Sequence, residues 1–174
     1  MDVKTFDVLA AAKGRSYPTD NVTVYTDVAA LYTYAHLEAS ANNAKEGDEA
    51  NEFDEALKPI REQILASGLT FHMRGFAPGV RKSIDEEAKA KFGEDADLDN
   101  GDGLAWRFGK YVAESVVKVE NVNGDVDEHH WNVDEVLELR AFLAEEEYAK
   151  LVDLALQLSL AVWEFDKAVT PDFS

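Results

Sequence analysis

The chain has 174 residues, no cysteine, and 35 acidic against 17 basic side chains, for a formal net charge of −18. That length suits one core, the charge repels phosphate backbones and anionic lipid, and the missing thiols remove disulfides and thiolate metal sites. Binding to nucleic acid or to a membrane is therefore not expected, and no stretch is long and apolar enough to cross a bilayer.

The apolar run Val8 to Ala12 is too short for a secretion signal, and Asp2 and Asp7 lie where such a signal is positively charged. Phe6 to Ala12 reads as a short helix, and Gly14 to Asp20, with Pro18, as a connection. Val22, Val24 and Thr26 then alternate with Thr23 and Tyr25, which predicts a strand, and Thr26 and Asp27 are good caps for a helix after it. Val28, Leu31, Ala35 and Leu37, with Tyr32 and Tyr34, supply that helix's apolar side, and Ser40 to Glu49 is polar enough for a solvated turn.

Phe53, Leu57, Ile60 and Ile64 recur at spacings of four and three, which places them on one stripe of a second helix. Pro59 lacks an amide hydrogen, so a kink or a fresh start is expected near Lys58. Gly68 closes this helix, and the period changes at once to two: Leu69, Phe71 and Met73 face one way, Thr70, His72 and Arg74 the other. Strand, helix, helix, strand is an order that lets the two strands pair antiparallel. An isolated ribbon is marginal in water, so its apolar face must rest on the helices or on another chain.

Pro78 opens a third helix carrying Val80, Ile84, Ala88 and Phe92, with Gly93 as its stop. Glu94 to Gly103 reads as an acidic loop, and Leu104, Phe108, Tyr111, Val112, Ser115 and Val119 as one further helix ended by Asn123 and Gly124. Asn132 and Glu135 have the spacing of a capping box, followed by Val136, Leu139, Phe142 and Leu143. The last helix, about Glu145 to Ala168, has almost no polar side in its centre, which calls either for burial or for a subunit or partner interface. Leu156, Leu160 and Trp163 lie on a side partly distinct from Tyr148, Val152 and Ala155, so one face can serve the core and the other a partner. The fold class expected is mainly α with a small antiparallel β pair. Residues 1–93 form a β-α-α-β-α core with its N-terminal segment, 94–103 the acidic loop, and 104–174 a helical region packed on the core as one domain.

Motifs for chemistry are weak. Counted from Asp95, the acidic loop has Asn100 where a calcium loop needs glycine and Trp106 where it needs glutamate. Glu128, His129 and His130 lack partner spacing for a metal, and adjacent histidines point apart. His72, on the polar side of its strand, suits a cross-strand hydrogen bond better than catalysis. Arg74, Arg81 and Lys82 form a basic patch of the size usually solvated, and there is neither a phosphate-binding glycine loop nor a serine elbow. No catalytic residue, metal or cofactor is expected.

The order of elements resembles the tail assembly chaperones of long-tailed bacteriophages, especially those infecting actinobacteria. The likeness runs over most of the chain: a Phe-containing N-terminal segment, the strand Asn21-Val-Thr-Val-Tyr-Thr-Asp27, two helices about a charged turn, the strand Ser67-Gly-Leu-Thr-Phe-His-Met-Arg-Gly-Phe76, the helix from Pro78 to Glu87, and a helical region ending in Val169-Thr-Pro-Asp-Phe-Ser174. A proline pair common in that family after the third helix is replaced here by Asp95 to Gly103.

The resemblance implies a protein that is not an enzyme, works in the host bacterial cytoplasm, and is absent from the mature virion. Its partners would be the tape measure protein and the major tail (tube) protein, with homo-oligomer formation left open. Members are often made in two lengths by a translational frameshift near the end of the short form. The residues expected to meet a partner are Leu156, Leu160 and Trp163 on the last helix and Leu69, Phe71 and Met73 on the ribbon. The charge alone suggests a different function, an acidic DNA mimic that inhibits a nuclease or a repressor.

Overall fold

The computed structural model describes residues 17–43, 48–94 and 97–169, and their side chains except at 43, 48–51 and 161–169. The expected helix at Phe6 to Ala12 and the tail after Val169 lie outside the described residues. In chain order the elements are β1 (Thr19–Tyr25), α1 (Val28–Asn43), α2 (Asp48–Ala66), β2 (Gly68–Arg74), α3 (Pro78–Phe92), α4 (Gly101–Ser115), β3 (Val116–Asn121), β4 (Val126–Asp127), α5 (Val133–Phe142) and α6 (Glu145–Val169). The protein is mainly helical with a small antiparallel sheet, as the patterning predicts.

β1 and β2 pair antiparallel with Val22 opposite Phe71 and Val24 opposite Leu69. This ribbon is half of a larger sheet, ordered β1-β2-β3-β4. Here the expected long helix from Leu104 to Val119 is corrected: it stops at Ser115, and Val116 turns extended at φ −66°, ψ 126°. The run Val116, Val117, Lys118, Val119 is rich in β-branched side chains, which lose rotamer freedom in a helix and pack well on a pleated surface. Val119 lies opposite Phe71 and is buried beside it. Asn123 and Gly124 therefore form the β3–β4 turn, not a helix end. Gly124 takes φ 82° there, and Asn121 Oδ1 accepts from the amides of Asn123 and Asp125 at 2.9 and 3.0 Å.

One face of the sheet carries the core. Val24, Phe71 and Met73 lie under α6, which contributes Tyr148, Leu151, Val152, Ala155 and Leu158, and Val116 and Val119 of β3 join the same cluster. The ribbon's apolar face thus rests on the chain's own helices, and the first half of α6 is core. A buried carboxylate ties the two together: Glu147 is 6% exposed, accepts from the Tyr25 amide at 3.0 Å, and takes Lys150 Nζ at 2.7 Å on both oxygens.

α1 and α2 form a hairpin that packs chiefly on itself. Its base is fixed by polar contacts: the Ala30 amide donates to Asp27 Oδ1 at 2.9 Å, the Thr26 hydroxyl to the Ser67 carbonyl at 3.1 Å, and the Asp27 amide to Ser67 Oγ at 3.1 Å. Leu57 and Ile64 are buried on the predicted stripe, and Phe53 and Ile60 half-buried. α2 runs through Pro59 without a fresh start, and the turn expected over Ser40 to Glu49 is shorter, since helix extends to Asn43 and resumes at Asp48.

α3 ends at Gly93, whose amide bonds the Lys89 carbonyl at 2.8 Å. The acidic loop is shorter than expected, because its last three residues already belong to α4. Arg107 holds the loop down: its guanidinium, 15% exposed, contacts Asp85 at 2.9 Å, Asp99 at 3.1 Å and the Leu98 carbonyl at 3.1 Å.

α5 starts with the predicted capping box. Asn132 Oδ1 accepts from the amides of Asp134 and Glu135 at 2.9 and 3.1 Å, and Glu135 Oε2 accepts from the Asn132 amide at 2.8 Å. A β-carbon on Gly109 would come within 3.2 Å of Val133 Cγ2, so glycine is what lets α4 and α5 approach. Asn132→Ala leaves these donors unpaired and is expected to cost about 1 kcal/mol, read as a lower denaturant midpoint with an unchanged slope.

Candidate functional site

The residues expected to meet a partner divide into two groups. Phe71 and Met73 are 0% and 1% exposed, and Leu69 packs half-buried against the same core. Phe71 also meets the Trp131 ring at 5.8 Å between centroids. This chain already covers the ribbon face, so the open surface lies elsewhere. On α6, Leu158 closes the described part of the core face, Leu156 is half-buried, and Leu160 is 45% exposed. Leu156 and Leu160 thus lie where the core face gives way to solvent. Trp163 belongs to the same helix, and its side chain lies outside the described residues.

The other large exposed apolar side chains include Val28 (42%), Tyr32 (74%), Leu65 (58%) and Phe142. The first three belong to the α1–α2 hairpin, which sequence reasoning did not single out. Composition puts both Tyr32 and Tyr34 on the apolar side of α1, yet residues two apart on a helix face different ways. Tyr34 is the half-buried one and accepts from Arg61 Nε and Nη2 at 3.2 Å each. The signal that could have found the other face is charge: α1 carries one charged residue in 16, Glu38.

The polar clusters are small. His72 Nε2 lies 3.5 Å from Glu120 Oε2, which Lys118 approaches equally closely. The cross-strand partner is thus a carboxylate at ion-pair distance, without hydrogen-bond geometry. Arg81 and Lys82 line a cleft of about 420 Å³ with Phe76, Pro78, Asp85 and Ser159. A second cleft of about 470 Å³ lies among Lys91, Phe92, Trp106, Leu137 and Arg140. Neither brings a nucleophile to a base.

His129 sits between two acids in the connection from β4 to α5. Its Nδ1 is 2.7 Å from both Asp127 oxygens, its Nε2 is 3.5 Å from Glu135 Oε2, and its ring stacks on Trp131 at 5.1 Å. The Asp127 hydrogen bond raises the His129 pKa, and the backbone and ring N–H groups of His129 lower that of Asp127. His130 and Glu128 are exposed, and among the described residues no three His, Cys, Asp or Glu side chains converge to hold a metal. The expected result of an NMR titration is a His129 pKa above the ordinary value of about 6.5, falling toward it in Asp127→Asn. Because the folded pKa of His129 is the higher one and that of Asp127 the lower, this contact's stabilisation is complete between about 4 and about 6.5, and is lost as pH rises through the folded His129 value or falls through that of Asp127. An unshifted His129 would mean the contact is absent in solution.

No family model, curated protein or solved structure matches the chain.

Proposed function

We propose that this chain is a tail assembly chaperone of a long-tailed bacteriophage, which shields the tape measure protein in the host cytoplasm, helps recruit tail-tube subunits, and leaves before the virion is complete. The observation that supports it is Leu160, an exposed leucine next to half-buried Leu156 on a helix whose other side is already committed to the core. A client with long apolar helical stripes needs such a contact to hide them, and a carrier at −18 keeps the complex in solution. The order of elements set out above is the second support.

The test is co-expression with the tape measure protein of the same phage, followed by washing of the captured complex in about 1 M salt, where screening acts over about 3 Å. A soluble complex that survives the wash is expected, because burial of apolar surface does not weaken with ionic strength as charge pairing does. The DNA-mimic function, which −18 favours, gives the opposite result: binding to a nuclease or repressor that collapses in the same wash.

A further inference from the structure

We propose that the outward face of α1 is a second docking surface, for an amphipathic helix whose apolar stripe is flanked by Lys and Arg. It is separate from Leu160 and does not rest on the chaperone function. Val28, Tyr32 and Ala35 follow one another at spacings of four and three, which aligns them along one side of α1, and all three are exposed. Leu65, 58% exposed, lies near the end of α2, close in sequence to the Asp27–Ser67 bond at the base of the hairpin. α1 packs chiefly on α2, so its far side is left uncovered by the described elements.

Charge identifies the occupant. Of the exposed residues of α1, Ala29, Thr33 and Ala35 among them, only Glu38 is charged, in a chain where 30% of residues are charged. Its neighbour α2 carries six acidic residues against two bases, of which Lys58 pairs with Glu55 and Arg61 bonds the neutral Tyr34 hydroxyl. A strip with little charge, on a helix packed beside an acid-rich one in a chain at −18, suits a helix that is apolar along its centre and basic at its margins. A second copy of this chain fits poorly, since it brings −18 against −18, and an anionic membrane meets the same repulsion.

The probe is a synthetic helical peptide with Leu and Ala on one face and Lys along both flanks, titrated into the full chain at about 0.15 M salt. A permuted peptide of identical composition without the stripe serves as the charge control. Binding is expected for the first peptide, at least about tenfold weaker binding for the permuted one, and a loss of about tenfold or more in the triple variant Val28→Asn, Tyr32→Asn, Leu65→Asn. Phe142→Asn, at an exposed site on α5, should leave affinity unchanged. Should the triple variant fail to fold, Tyr32→Asn alone, at a side chain 74% exposed, should still lower affinity measurably.

Equal binding of both peptides overturns the proposal, because acid alone then attracts the probe. So does undiminished binding to a folded α1 variant. A dimer of the free chain that the triple variant converts to monomer also overturns it, and assigns the face to a second copy. Substitution of Leu160 reports on the chaperone function separately, so either can fail without the other.

Discussion

Met73→Asp is expected to cost about 4 kcal/mol or more and to leave little folded protein at moderate temperature. Met73 is 1% exposed, near the end of β2, in a core cluster that includes Phe71, Ile84, Val116 and Leu151. A carboxylate there loses its water and finds no cation, and large single-site losses arise chiefly from such unpaired burial. For a domain of this length about 4 kcal/mol corresponds to a fall in thermal midpoint of roughly 10 °C or more. Met73→Leu keeps volume and polarity and should cost under about 1.5 kcal/mol. Thermal unfolding of the two variants side by side is the measurement. A Met73→Asp protein that melts with the wild type would remove β2 from the core and refute the sheet as described.

Leu160→Ala combined with Trp163→Ala is expected to weaken association with an apolar helical client by about a hundredfold or more. Burying a Leu or Trp side chain contributes on the order of 2 to 3 kcal/mol, and two anchors together exceed what a hundredfold requires. Leu160 is 45% exposed in the free chain, so its truncation removes little from folding. Trp163 enters through sequence spacing alone, three residues beyond Leu160. Capture of the tape measure protein by the double variant should be compared with the variant's helical content and thermal midpoint. Loss of folding would assign these residues to the core. A folded variant that still keeps the client soluble would place the contact elsewhere.

Local rules were legible in the sequence wherever one segment carried the whole signal. The alternation Leu69, Phe71, Met73, the stop at Gly93 and the Asn132–Glu135 box all appear where spacing placed them. β3 was hidden because Ser115 and Val119 are four apart and continue the helical period begun at Leu104. Its buried partner Phe71, on β2, lies over forty residues earlier in sequence. A longer separation in sequence conceals the bond from the Tyr25 amide to Glu147, in a chain where 35 carboxylates look alike. The candidate surface was half legible. Periodicity separated Leu160 from the Tyr148–Ala155 side, but it could not tell that α6 would cover Phe71 and Met73, nor which of Tyr32 and Tyr34 would face outward.

Glu147 also bears on how the folded chain avoids polymerising. β1 lies at the edge of the sheet, and the bonds from the Thr26 amide to Ser67 and from the Gly75 amide to Pro18 show that alternate residues turn their backbone groups away from β2. Such a row can nucleate the addition of a foreign strand and, repeated, a fibril. At Tyr25 the outward amide is already taken by the Glu147 carboxylate. Strand addition along β1 is therefore arrested at its α6 end, by a side chain that belongs to no strand.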